Sequence, residues 1–223
     1  SAFFAELHQS HDVGLHIGAN CQEILQKDGA FTGVQLDDGR QIAAELLLVG
    51  IGVLPDLDLA ASAGIEAGNG ILVDAMMQSS VQDIFAIGDV ALIDGAALRI
   101  ESVDNAQMTA ARAAAAICGL AQPAMAAPWF WSEQFDVRLQ SAGIVPLASP
   151  DLRHQLRPGK REGGFSVWSY GDNGKLAAVE AVRDPAGYML GKKCLDLGLS
   201  PDPDDIGNVD FDLKGFVAAG NEK

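Results

Sequence analysis

At 223 residues, 48% of them hydrophobic, the chain has enough apolar material for one large domain or two smaller ones, and no apolar run reaches the length of a membrane-spanning helix. A formal charge of −15 argues against a nucleic-acid binder, which needs clustered lysine and arginine to neutralise phosphates. Cys21, Cys118 and Cys194 stand far apart with no CxxC, so neither a dithiol redox centre nor a zinc site is indicated.

Three free core thiols and a reducing cytoplasm are the expectation, and residues 1–8 show neither the basic leader nor the apolar core of a signal peptide. Phe3, Phe4 and Leu7 recur at helical spacing and predict an amphipathic helix over 1–11. Residues 14–17 read as a short strand. Residues 20–26, 31–36 and 40–43 form a meander, joined by Lys27-Asp28-Gly29 and Asp37-Asp38-Gly39, because Asp-Gly between alternating runs is a strong hairpin signal. Residues 45–49 read as a buried strand that runs into Gly50-Ile51-Gly52-Val53-Leu54-Pro55. Two glycines after a strand either make a tight turn or clear space for a cofactor. Residues 56–64 predict a short helix opened by an acid and closed by Gly64, residues 70–74 a strand, and residues 76–82 a connecting loop.

The stretch Ile84-Phe85-Ala86-Ile87-Gly88-Asp89-Val90-Ala91 brings backbone, packing and polar signals together. Its four leading apolar residues predict a strand buried on both faces. Gly88 lets another group approach the backbone, and Asp89 stands at the carboxyl end of the strand, where open α/β sheets hold ligands. A bare Gly-Asp pair is also common as the plain turn that leaves a core strand. Further on, Ser102 or Asp104 caps a helix that runs to Cys118, with Gly119 as its stop. Seven alanines between 106 and 116 let that helix lie close to a sheet, a neighbouring helix or a flat ligand.

Composition shifts at 122–128, a linker with two prolines, beyond which Trp129-Phe130-Trp131 holds two of the three tryptophans. Residues 137–142, 165–170 and 175–182 alternate like antiparallel strands, with a turn at 171–174, and residues 188–197 return to helical spacing. The tail from Ser200, with Asp202, Asp204, Asp205, Asp210 and Asp212, reads as a loosely structured, solvated acidic face. Arg153, His154, Arg157, Lys160 and Arg161 surround a Pro158-Gly159 turn, which is either an exposed hairpin with scattered charge or a docking patch for an acidic partner. The fold class is α/β followed by an α+β domain with an antiparallel sheet and helices, without internal repeats.

Taken in order, Gly-Ile-Gly-x-x-Pro from Gly50, Ile-Phe-Ala-Ile-Gly-Asp-Val-Ala from Ile84, Arg-x-Glu-Ser-Val-x-Asn-Ala from Arg99 and Pro-Trp-Phe-Trp-Ser-Glu-Gln from Pro128 resemble the back part of the ferredoxin reductases. These are glutathione-reductase-like flavoproteins that pass electrons from NADH to small ferredoxins or rubredoxins of bacterial oxygenases. The resemblance implies FAD and NAD(P)H as cofactors. It implies that Asp89 hydrogen-bonds a ribityl hydroxyl, with Gly88 leaving room for that chain. Ser102, Val103 and Asp104 would open a helix aimed at the pyrimidine edge of the isoalloxazine, and Trp131, or in second place Trp129, would cover one side of the flavin. Trp131 also suits a core aromatic at the domain junction. Glu101 would lie near the nicotinamide, with Gly50, Ile51 and Gly52 on the NAD side. Arg153, Arg157, Lys160 and Arg161 would face the iron-sulfur partner.

No catalytic acid, base or nucleophile, no metal and no membrane partner is implied. The family's two GxGxxG units are not found in the sequence, so residues 1–53 are expected to be the C-terminal part of an NAD-binding domain. Residues 54–124 would be the returning part of an FAD-binding domain, and residues 125–223 a C-terminal interface domain. Such a piece is expected to bind FAD weakly or not at all, and to cover its exposed surfaces by homo-oligomerisation or partial disorder. Two other readings stand beside this one: the same flavoenzyme with oxygen, nitrite or another small molecule as acceptor, and a non-enzymatic interaction or dimerisation module.

Overall fold

The computed structural model describes residues 2–145 and 152–221; Ser1, at the start of the expected first helix, lies outside the described residues. The chain divides into two compact units, Ser1–Val53 and Leu54–Lys223.

The first unit opens with α1 (Ala2–Gln9). No strand forms over 14–17. The meander is present, as β1 (Cys21–Lys27), β2 (Ala30–Leu36) and β3 (Gln41–Ala43), all antiparallel. Asp28 and Gly29 both take positive φ, 53° and 79°, which is what a two-residue hairpin matched to the strand twist requires. The expected buried strand over 45–49 is instead irregular chain, with Leu46 84% and Leu48 91% exposed. An apolar run becomes a buried strand only when other strands flank it, and none pairs with this run among the described residues. Only Gly33 and Leu36 are buried among the described residues of this unit.

The second unit begins with α2 (Asp58–Ser62), where Asp56 accepts from the Asp58 N–H. Strand β4 (Ile71–Val73) pairs in parallel with β5 (Ala91–Ile93). Residues 84–87 do not form a strand buried on both faces: Phe85 makes a single bridge to Gln78, and Ile84 and Ile87 are exposed. The segment is covered on one side, where Ala86 joins Val73, Met77, Ala91 and Ala113 in a small core. Helix α3 (Val103–Ile117) starts at a Ser102 cap and stops at Cys118 and Gly119, as the sequence predicts.

Beyond the linker lie β6 (Trp129–Gln134), β7 (Val137–Gly143), β8 (Arg153–Pro158), β9 (Phe165–Tyr170) and β10 (Leu176–Val182), an antiparallel sheet in the order β6-β7-β10-β9-β8. Helix α4 (Pro185–Asp196) packs on β7, β9 and β10. The tail from Ser200 is ordered rather than loose. It forms α5 (Pro203–Gly207) against β8 and α6 (Leu213–Gly220) against α4, and it buries Ile206, Leu213 and Val217 in one core with Trp168, Tyr170, Leu176, Val179 and Cys194. Two of its acids are helix caps: Asp202 accepts from the Asp204 N–H and Asp212 from the Gly215 N–H. Cys21 and Cys118 are exposed, which corrects the expectation of three core thiols; Cys194 alone is buried. Among the described residues no helix is long and apolar enough to cross a membrane.

Candidate functional site

The Gly-Asp turn is a single 3-10 turn, Gly88–Val90, leading into β5. Gly88 is buried with φ of +69°, in the left-handed region where a side chain is strained. A Cβ there would sit 3.6 Å from the Cβ of Ala106, an ordinary contact, so conformation rather than space demands the glycine. The Gly88 N–H donates to Thr109 Oγ1 at 2.9 Å, and the Thr109 hydroxyl donates to the Asn105 carbonyl at 2.7 Å. The turn is thereby fastened to the second turn of α3. Asp89 is exposed, and its carboxylate has no partner among the described residues, while its carbonyl accepts from Arg99 Nη1.

The other wall is the start of α3. Ser102 Oγ accepts from the Asn105 N–H at 3.1 Å, and Asn105 Nδ2 donates to the Ile100 carbonyl at 2.7 Å. The N–H groups of Val103 and Asp104 are left without acceptors among the described residues, as the first turn of a helix leaves them. They present the positive end of the dipole of the helix on which the Gly88–Val90 turn packs. Glu101 is paired with Arg99 at 2.7 Å. A cavity of about 230 Å³ is lined by Leu98, Arg99, Glu101, Ser102, Trp129 and Phe130, among others. Trp129 is half-buried, its ring 5.6 Å from that of Trp131 and 6.2 Å from that of Tyr188. Trp131 is 44% exposed on β6, at the edge of the sheet.

Arg99 links the Asp89 turn to Glu101, and Glu101, Ser102 and Trp129 line one cavity, whereas Trp131, expected to cover the flavin ahead of Trp129, is not among its lining residues. Gly50, Ile51 and Gly52 belong to the first unit, where they are exposed irregular chain. Arg153 and Arg157 are turned onto their own chain: Arg153 pairs with Asp204 at 2.5 Å, and Arg157 donates to the carbonyls of Ile206, Asn208 and Phe211. Lys160 and Arg161 are exposed, the first on a cavity of about 320 Å³ shared with Lys214 and the second on one of about 410 Å³ shared with Arg138 and Arg183.

Sequence reasoning missed Arg99, Thr109 and Arg112. Buried Arg112 donates to the carbonyls of Ala75 and Pro123 and so ties the linker to the loop after β4. A signal was present: Asn105, Thr109 and Arg112 fall at i, i+4 and i+7, a polar file along one face of an otherwise alanine-rich helix.

Asp89 is expected from the sequence at the carboxyl end of a buried strand, but residues 84–87 form none and the turn lies at the amino end of β5, so what points to an anionic ligand here is the open N-terminus of α3. Residues 1–110 match the pyridine nucleotide-disulphide oxidoreductase family, and residues 129–217 match the reductase C-terminal family. The chain belongs to the pyridine nucleotide-disulphide oxidoreductases, in the ferredoxin reductase branch. It is 36% identical to rhodocoxin reductase of Rhodococcus erythropolis over 98% of this chain and 51% of that protein. It is 33% identical to putidaredoxin reductase of Pseudomonas putida over 98% of this chain and 52% of the relative. A solved ferredoxin reductase from Rhodopseudomonas palustris superimposes with a TM-score of 0.90 at 37% identity, over 97% of this chain and 54% of the other. The reductase in a covalent putidaredoxin reductase–putidaredoxin complex gives 0.90 at 31% identity, over 100% and 54%. The chain thus spans about half the length of the relatives it matches.

Proposed function

We infer that this chain forms part of an FAD-dependent NAD(P)H oxidoreductase that delivers electrons to a small ferredoxin or rubredoxin. The observation that carries the reading is the exposed, unpartnered Asp89 carboxylate held beside the free N–H groups of Val103 and Asp104. An acceptor for hydroxyl donors and a cluster of donors for an electron-rich ring edge fit the two ends of FAD's polyol and flavin portion. When bound, FAD accepts a hydride from NAD(P)H and gives up electrons singly, so the chemistry is the cofactor's.

The chain's residues bind and orient. Asp89 accepts from ribityl hydroxyls, and Gly88 supplies the backbone turn that aims it. Ser102 closes the Asn105 N–H and leaves the next two free, and the helix dipole favours negative charge at that point by ~0.3–1 kcal/mol, more where partly buried. Trp131 and Trp129 screen the flavin side, Glu101 stands on the nicotinamide side, and Gly50, Ile51 and Gly52 belong to the NAD-binding part of the chain. Residues 1–53 act as the end of the NAD-binding domain, 54–124 as the returning part of the FAD-binding domain and 125–223 as the interface domain. The partner assignment is supported by relatives named for rubredoxin and putidaredoxin. Lys160 and Arg161, exposed and with side chains not engaged by the chain's own groups among the described residues, are the docking candidates, and free thiols suit a reducing cytoplasm.

The test is Asp89→Asn and Asp89→Leu in the complete protein that carries this chain. Purified wild type carries flavin at one per chain by its visible spectrum. Asp89→Leu loses most of it with an unchanged circular dichroism spectrum, and Asp89→Asn loses less. Full flavin content in Asp89→Leu would refute the role of Asp89.

A further inference from the structure

We propose that Arg99 is the positioning residue of this site, one buried guanidinium that sets both the Asp89 turn and the Glu101 carboxylate and fixes the charge beside the cofactor. The inference rests on the FAD reading above.

Arg99 is unusual for a charged residue. Its side chain is 6% exposed, and Nε is buried with no hydrogen-bond partner. Nη1 donates to the Asp89 carbonyl and Nη2 pairs with Glu101 Oε1 at 2.7 Å. The path of the side chain is built in: Gly70, with φ of +151°, lies where a Cβ would overlap Arg99 Cδ and stand 2.8 Å from the Val90 carbonyl oxygen. Burying a guanidinium with one N–H unpaired costs free energy that a leucine of similar reach would not, because leucine has no hydration to lose. The two groups that it does engage are the backbone of the residue that presents Asp89 and the carboxylate one residue before the α3 cap. They belong to the two walls of the site, and Arg99 and Glu101 both line the 230 Å³ cavity.

The charge consequence follows. Arg99 and Glu101 together are neutral, so the pair adds little net charge to the field set by Asp89, Asp104 and the α3 N-terminus. Removing the arginine leaves an unpaired carboxylate there; removing the carboxylate leaves an unpaired cation. Reduction adds negative charge to a bound flavin, so the two deletions act on its potential with opposite signs, and deleting both cancels. A residue that served only to hold the turn together would disturb the site in one direction whichever partner was removed.

The experiment is a flavin midpoint-potential titration of the complete protein as wild type, Arg99→Leu, Glu101→Gln and the double variant, with FAD affinity from fluorescence titration of the apoprotein. Arg99→Leu is expected to shift the potential negative and weaken FAD binding about tenfold. Glu101→Gln is expected to shift it positive, and the double variant returns toward wild type. Arg99→Lys restores the sign of the charge without the fork and recovers the potential better than the affinity. If Arg99→Leu fails to fold, Glu101→Gln and Arg99→Lys carry the test. Shifts of one sign in both single variants, or a potential unmoved by Glu101→Gln, would overturn the role given to Arg99. Wild-type protein without flavin would overturn the site reading itself, a result distinct from either.

Discussion

The Thr109 hydroxyl accepts a hydrogen bond from the Gly88 N–H at 2.9 Å and donates one to the Asn105 carbonyl at 2.7 Å. Asn105 is in turn tied to the Ile100 carbonyl at 2.7 Å, so one file of side chains on α3 sets the Gly-Asp turn and the approach to the helix together. Thr109→Val keeps the shape and removes the acceptor, leaving a buried backbone N–H unsatisfied. A loss of ~1–3 kcal/mol in denaturant unfolding is expected, with weaker FAD binding in the complete protein, and Thr109→Ser should recover most of both. Equal stability of Thr109→Val and wild type would show that the turn does not depend on this bond.

Much of this was legible beforehand, and the exceptions have a common physical form. The Ser102 cap, the Gly119 stop and the Asp-Gly hairpins depend on a few adjacent residues and emerge as expected. Residues 45–49 and 84–87 fail as buried strands because strand burial depends on neighbours that composition cannot supply. The acidic tail was misread because Asp202 and Asp212 look like solvated charge until the helices they cap are seen to bury Ile206 and Leu213. The hold of Arg99 and Thr109 on the Gly-Asp turn was missed because it runs to backbone groups 10 and 21 residues away, which leave no mark in side-chain spacing.

The basic cluster separates into two kinds of residue. Arg157 donates to one carbonyl at the end of α5 and to two in the segment between α5 and α6, so Arg157→Leu should release that segment. The expected readout is a loss of about 1–3 kcal/mol, with earlier proteolytic cleavage within 207–212. The exposed Arg153–Asp204 pair at 2.5 Å is worth at most about 1 kcal/mol, and Arg153→Ala should fall within that range. Charge reversal at Lys160 and Arg161 leaves the fold intact and should slow ferredoxin reduction by the complete protein at low salt, the effect fading as salt rises. An unchanged rate at low salt would exclude this surface as the dock.

Burial pushes the Cys194 thiol up to about 11 from its ordinary 9.0. The folded chain therefore keeps this proton where the unfolded chain has released it. The resulting stability is complete below pH 9 and is lost as pH rises toward 11, since the native state binds more protons in that window. Cys194→Ala should flatten the fall in stability across that window, though at some cost to packing at lower pH. Under native conditions a thiol reagent should modify Cys21 and Cys118 quickly and Cys194 only on unfolding, a pattern that mass spectrometry of the labelled peptides reads directly.

In the function proposed above, Asp89 and the α3 N-terminus form one side of a binding site, and the solved relatives that this chain matches are nearly twice its length. One wall supplies a single carboxylate and two free N–H groups, too few contacts to repay the ordering of a ligand as long as FAD. The exposed Leu46, Leu48, Val49, Ile51 and Leu54 meanwhile leave apolar surface without cover among the described residues. The 223-residue chain purified alone should therefore lack a stoichiometric flavin spectrum, and should sediment as more than one copy at raised concentration. A polypeptide that corresponds to the part of the relatives this chain does not span, added in trans, should restore flavin uptake and reduce that self-association together. A yellow 223-residue chain with one FAD per copy would show that this single wall suffices.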